Sequence, residues 1–170
     1  VGQGVEQDSR QAVEWYRKAA EQGYMYAQYM LGDMYYRGLG VAQDYKQAAE
    51  WYRKAAEQGY MYAQNNLGDM YLVGQGVEQD YKQAVEWYRK AAEQGHATAQ
   101  SNLGFCYLLG HGVESNLRTG YMWLYLAKLN GNTNADEWLK EINISFSEKS
   151  SAESEARRKF DEIKNRNGTN

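Results

Sequence analysis

The chain has 170 residues, a length suited to a single domain. Hydrophobic residues make up 43% and charged residues 24%, which excludes a disordered tail, a collagen-like fibre and a membrane-embedded bundle. A net charge of −3 gives no general attraction to nucleic acid or anionic lipid.

No apolar run approaches the roughly 20 residues of a membrane span, so no membrane insertion is expected. The single Cys106 cannot form an internal disulfide and leaves the compartment open. No signal peptide is present, and the sequence opens on Val1 inside a repeated unit, so a fragment or processed form is expected. Two oddities of composition remain: there is no proline, and 16 Tyr stand against 3 Phe.

Internal repetition organises the chain. Shifted by 36 residues, positions 1–36 match 37–72 at 27 of 36 places, and 37–72 match 73–108 at 26. Agreement at that level over one fixed period means stacked supersecondary units, none able to bury its apolar face alone. Asp8, Asp44 and Asp80 fall in phase, with Asn116 in the same place one period later. Gly23, Gly59, Gly95 and Gly131 do likewise, as do Gly-x-Gly-Val loops at Gly2, Gly38, Gly74 and Gly110. The architecture is a solenoid.

Each unit reads as two helices. Asp44 is an N-cap, and Gln47 completes an Asp-x-x-Gln variant of the capping box. Ala48, Trp51, Tyr52, Ala55 and Ala56 then form one apolar face at a 3.6-residue period, and Gly59 ends the helix. A second helix spans about Met61 to Val73, with Ala63, Leu67, Gly68 and Tyr71 inward. Gly68 in a helix interior costs about 1 kcal/mol relative to Ala. Its recurrence as Gly32 and Gly104 predicts a neighbouring helix too close for a β-carbon. The absence of proline fits a chain that is nearly all helix.

Beyond Gly131 the period fails. A short helix is expected over Asn134–Ile142 and a longer polar one over Ser147–Lys164, the charge-rich cap that covers a solenoid's last apolar face. Residues 165–170 are expected to fray. The layout is then a half repeat (1–23), full repeats (24–59, 60–95 and 96–131) and a closing segment (132–170).

The run AQNNLGDMYLVGQGVEQDYKQAVEWYRKAAEQG closely resembles the Sel1-like repeat, a relative of the tetratricopeptide repeat. The likeness covers about Val1–Gly131, and the tail SFSEKSSAESEARRKF resembles that family's closing helix. It implies an all-α fold: an α/α right-handed superhelical solenoid of 36-residue helix-turn-helix repeats with a C-terminal capping helix. In the family the Leu-Gly-x-x-Tyr helices line the concave side and the Trp-Tyr helices the convex side. Members bind proteins or peptides and are often bacterial, periplasmic or secreted.

Catalytic constellations are hard to find. His96, Cys106 and His111 lack metal-ligand spacing, and Cys106 replaces Met34 and Met70 in phase, as a small buried hydrophobe would. His96 takes the place of Tyr24 and Tyr60, which favours a surface role. There is no phosphate loop, dinucleotide fingerprint or Gly-x-Ser-x-Gly elbow. Cysteine-rich members of the family are linked with penicillin binding or β-lactam hydrolysis. No Ser here has Lys three residues on, and their regular disulfide spacing is absent. Carboxylates such as Glu50 and Glu57 recur with the scaffold and read as a solvated face. The sequons at Asn143 and Asn167 are weak tripeptide matches. No cofactor and no metal are expected.

Variation among near-identical repeats points to a binding surface. Outward positions of the first helix in each pair read Tyr26, Tyr29, Asp33, Tyr36 and Arg37 in one repeat. The next has Tyr62, Asn65, Asp69, Leu72 and Val73, and the last Thr98, Ser101, Phe105, Leu108 and Leu109. Given the family geometry, these line a concave groove for an extended peptide, graded from tyrosine-rich and charged to apolar. Tyrosine, asparagine and serine supply rigid aromatic contact and adaptable hydrogen bonding. Asn66 and Asn102 are either groove donors or satisfy local backbone groups. Met25 and Met61 either present partner surface or pack at the inter-helix turn.

The leading expectation is a non-enzymatic adaptor that binds a protein or peptide. A cell-envelope scaffold using the convex face or the solenoid ends is the alternative, and a hydrolase the weakest reading. Val1 and Trp15, at the uncapped N-terminal end, make end-to-end self-association a further expectation.

Overall fold

A computed structural model of the chain describes residues 2–168, with side chains for residues 8–168. Every regular element among the described residues is a helix. In order these are α1 (Gly2–Glu21), α2 (Met25–Arg37), α3 (Tyr45–Glu57), α4 (Met61–Val73), α5 (Tyr81–Glu93), α6 (Ala97–Leu109), α7 (Leu117–Leu129), α8 (Ala135–Glu141) and α9 (Phe146–Gly168). They fall into two compact units, α1–α4 up to Asp80 and α5–α9 from Tyr81.

In the first unit α2 packs between α1 and α3, and α4 lies against α3. Asp44 sits in extended backbone and its Oδ1 accepts from the Gln47 N–H at 3.0 Å, starting α3 as the cap pattern predicts. The return arm of the expected capping box is absent. The Asp44 N–H donates instead to the Tyr35 carbonyl at 3.0 Å, and the Gln47 amide turns to Glu50. Ala48, Tyr52, Ala55 and Ala56 are buried as the period demands, together with Ala49, while Trp51 is half-buried. At Gly59, φ is +97°, and the paired bonds Gly59 N–H to Ala56 and Tyr60 N–H to Ala55 close the helix in a left-handed C-terminal motif.

Close helix approach replaces side-chain volume at Gly32. A β-carbon there would lie 2.7 Å from the Tyr52 ring and 3.3 Å from the Ala48 carbonyl oxygen. The second glycine of each loop makes a similar approach: a β-carbon on Gly76 would meet the Tyr45 carbonyl oxygen at 2.2 Å, so the loop seats directly on the start of α3.

The first repeat departs from this pattern. α1 runs from Gly2, so the loop at Gly2 and the cap at Asp8 expected from the phase are both helical. Elsewhere the loop closes a preceding helix, as when the Gly74 N–H caps Met70, and rests on an earlier repeat. The predicted exposure of Val1 lies outside the described residues.

A buried polar seam, unassigned from the sequence, ties the helices of each hairpin. Gln28, Gln64 and Gln100 donate to the carbonyls of Ala20, Ala56 and Ala92 at 3.1, 3.0 and 2.9 Å. Each satisfies a carbonyl in the last turn of the helix before it.

In the second unit α7 is enclosed by α6, α8 and α9, which explains a sequence apolar on nearly every face from Tyr121 to Ala127. α9 covers α7 as a cap, burying Ala152 and Ala156. Its polar side reaches α7 through Tyr121 to Glu153 and Arg118 to Glu155, both at 2.9 Å. The helix begins one residue ahead of the expected Ser147. Ser145 is the cap, with Ser145 N–H to Glu148 at 2.8 Å and Glu148 N–H to the Ser145 hydroxyl at 3.3 Å, a reciprocal box. Residues 165–168, expected to fray, are helical. Asn167 donates to the Gln94 carbonyl at 3.3 Å, and buried Ile163 holds the turn before it.

Candidate functional site

The face formed by α2 and α4 in the first unit carries the chain's most distinctive surface. Eight tyrosines form one connected set of rings. Tyr29 is the hub, 5.0 Å from Tyr60, 5.8 Å from Tyr52 and 6.3 Å from Tyr62 between centroids. Tyr26 joins through Tyr60 and extends the set to Tyr16, while Tyr52 leads through Tyr36 to Tyr45. Edge and tilted geometries of this kind add about 0.5–1.5 kcal/mol per pair beyond area burial. Tyr26 and Tyr62 remain exposed at 54% and 44%.

Beside the rings lies a cavity of about 220 Å³ lined by Asp33, Tyr36, Arg37, Tyr52, Asn66 and Asp69. Five of these six are residues the sequence placed on the groove. Tyr52 is the addition: its position on the apolar face of α3 reads as core, and its ring is buried, yet its hydroxyl comes within 3.5 Å of Asp33 Oδ1. Arg37 donates to the same oxygen at 2.9 Å, one helical turn away. Asp69 accepts from the Asn65 amide at 3.1 Å.

Asn66 lines the cavity and accepts from the Asn65 amide at 3.5 Å. Burial raises the Tyr29 and Tyr52 hydroxyls above the ordinary tyrosine range, and the Asp33 carboxylate adds to the effect. Both stay protonated and able to donate at physiological pH.

Other predicted positions are not on this surface. Asn65 is buried rather than outward, and its amide donates to Asp69 at 3.1 Å and to Asn66 at 3.5 Å. Leu72 and Val73 lie beyond the cavity at the end of α4. In the second unit Ser101 is also buried, accepting from Asn132 at 2.7 Å and donating to the Ala97 carbonyl at 3.3 Å. Phe105 is covered by Trp138 of α8, with ring centroids 4.7 Å apart. Thr98 and Leu109 are exposed, and Asn102 is half-buried. Met25 is exposed and Met61 half-buried.

His96 is half-buried, and its Nδ1 accepts from the Ala99 N–H at 3.1 Å, so it caps α6 rather than serving the surface. Cys106 is buried, as its in-phase match to methionine predicts, and burial pushes its thiol up to about 11. His111 stacks on Tyr81 at 4.6 Å. Among the described residues no group of three His, Cys, Asp or Glu side chains could hold a metal ion. A larger hollow of about 530 Å³ near Asn116 and Ser145 is open, and these two side chains are committed to capping α7 and α9.

Antiparallel helix pairs, recurring with glycines at their closest crossings and a variable face on α2 and α4, define an α-helical repeat protein. The chain belongs to the Sel1 repeat family, whose profile matches residues 1–24, 26–60, 62–96 and 97–132. Sel1 repeats are protein–protein interaction modules. No curated protein matches the sequence. Among solved structures it is similar to a Sel1 repeat protein from Oxalobacter formigenes, at 32% identity and a TM-score of 0.76 over 88% of this chain. It is also similar to c5321, a protective antigen of uropathogenic Escherichia coli strains, at 34% identity and a TM-score of 0.67 over 88% of this chain. The chain spans 65% and 40% of the lengths of these two proteins. A third likeness is to cysteine-rich protein B of Helicobacter pylori, at 26% identity and a TM-score of 0.62, covering 79% of this chain and 97% of that one. Among the described residues no helix is long and apolar enough to cross a membrane.

Proposed function

We propose that this chain is a non-enzymatic binding module of a bacterial adaptor or host-interaction protein, and that the α2–α4 face receives its protein or peptide partner. The observation that carries this reading is the pairing of exposed Tyr26 and Tyr62 with the cavity between Asp33 and Asp69. Aromatic anchors beside a concave polar pocket are the features that concentrate binding energy at protein interfaces. Membership of the Sel1 family supports a protein partner, and the name of the uropathogenic relative, a protective antigen, supports a periplasmic or secreted setting.

The test is affinity capture from the source organism and, separately, from host secretions. Wild type runs beside a variant carrying Tyr26→Ala, Tyr62→Ala and Asn66→Ala, with circular dichroism to establish that both are folded. A partner held by wild type and lost by the variant supports the face. A partner held equally by both moves the site elsewhere.

Trp15 favours a second reading. It is 72% exposed, whereas Trp87, in phase two periods later, is buried. Self-association through α1 would cover it, and Trp15→Glu would then abolish any concentration-dependent rise in mass measured by light scattering.

A further inference from the structure

We infer that the cavity beside Asp33 and Asp69 takes a cationic side chain, arginine in preference to lysine, from the bound segment. This rests on the proposed role of the α2–α4 face as a peptide-binding surface and specifies what it selects.

The lining carries two carboxylates, Asp33 and Asp69, against one guanidinium, Arg37, a formal excess of one negative charge. The two signs are not held alike. The Asp33 side chain is 16% exposed and fixed by its neighbours, whereas the Arg37 side chain is 63% exposed. A long, solvated arginine moves aside at little cost, because an exposed i,i+4 ion pair is weak. The fixed charge of the cavity is therefore acidic.

The remaining walls suit a planar cation. Tyr36 presents a half-buried ring there, and aromatic faces attract guanidinium more than they attract most other groups, while buried Tyr52 contributes its hydroxyl. The contact between Arg37 and Asp33 Oδ1 at 2.9 Å shows that a guanidinium already fits against this carboxylate. Arg37 thus occupies, from within the chain, the place that a partner's arginine would take. An acidic side chain entering the same cavity would meet both carboxylates in partly desolvated surroundings and be repelled. The site therefore discriminates by sign.

The experiment is selection from a phage library of random 12-residue peptides, followed by titration of the enriched synthetic peptides. Wild type is compared with Asp33→Asn/Asp69→Asn, with Arg37→Ala and with Tyr26→Ala/Tyr62→Ala, all verified as folded by circular dichroism. Wild type is expected to enrich peptides with arginine at one fixed position. Changing that arginine to alanine should weaken wild-type binding about tenfold, as loss of a charge-assisted contact does, and leave binding to Asp33→Asn/Asp69→Asn unchanged. Changing it to lysine should fall between. Arg37→Ala should tighten binding of the arginine peptide about two- to fivefold by removing the internal competitor.

Enriched peptides without a fixed cation, or with affinity indifferent to the Asp33→Asn/Asp69→Asn change, overturn the inference. In that case loss of binding by Tyr26→Ala/Tyr62→Ala leaves the peptide-binding face standing. A library from which wild type enriches nothing overturns both.

Discussion

Gly32 of α2 lies so close to Tyr52 of α3 that a β-carbon would meet the ring at 2.7 Å. This contact links scaffold to site. The missing side chain lets the ring enter the helix crossing, and from there its hydroxyl reaches Asp33 at the cavity. The sequence periodicity that keeps glycine at this position therefore also positions a site residue.

Gly32→Ala should accordingly destabilise the protein despite alanine's better helix propensity. The propensity gain is about 1 kcal/mol, and overpacking against a fully buried ring costs about 1–3 kcal/mol. Urea unfolding should show a lower midpoint with an unchanged slope. A midpoint above wild type would show that Tyr52 moves freely and that the crossing is loose.

Gln100 is fully buried, donates to Ala92 at 2.9 Å and accepts from Asn130 at 3.0 Å. Gln100→Ala removes both bonds, each worth about 1 kcal/mol net, while the Asn130 amide keeps its bond to the Leu126 carbonyl at 3.3 Å. The Ala92 carbonyl retains the Gly95 N–H, which limits the damage. A loss of about 2 kcal/mol is expected by urea unfolding, and a neutral outcome would contradict the seam.

His96 gives the stability a pH dependence of defined sign. Burial lowers its pKa below 6.5, and its unprotonated Nδ1 accepts the Ala99 N–H. The contribution is complete above the unfolded value near 6.5 and is lost as pH falls through the lower folded value, because the unfolded chain binds the proton first. The stability difference between wild type and His96→Asn, which keeps a capping acceptor, should shrink or reverse below about pH 6. Parallel pH profiles for the two proteins would contradict this role.

Cys106 should resist thiol reagents in the native state. Its side chain is buried and its thiol is pushed up to about 11, so thiolate is scarce at neutral pH. Labelling at pH 7.5 should rise steeply only across the unfolding transition. Rapid labelling of the folded chain would mean that α6 opens locally.

The scaffold was legible because its signals recur: Asp44 and Asn116 cap their helices in phase, and α4 occupies Met61–Val73 as the period predicts. The site was legible only in part. Asp33, Tyr36, Arg37, Asn66 and Asp69 gather at one cavity, since residues one turn apart on a helix share a face. Asn65 and Ser101 are buried instead, since a polar side chain on that face is covered where neighbours such as Asp69 or Asn132 bond it. Tyr52 was hidden by periodicity, which reports where a ring is buried and says nothing of its hydroxyl. The excess of tyrosine over phenylalanine was the available signal, for a buried ring that only packs needs no oxygen. The covering of Phe105 by Trp138 lay outside the repeats, where no phase relation existed to reveal it.

Site-specific photo-crosslinking decides whether partners dock on the α2–α4 face. A benzophenone amino acid is placed at Tyr62 on that face or at Lys46, exposed on α3, and irradiated in cells of the source organism. A discrete adduct is expected from position 62, lost when Tyr26→Ala and Asn66→Ala are added, and none from position 46. An adduct from position 46 alone would contradict docking on that face.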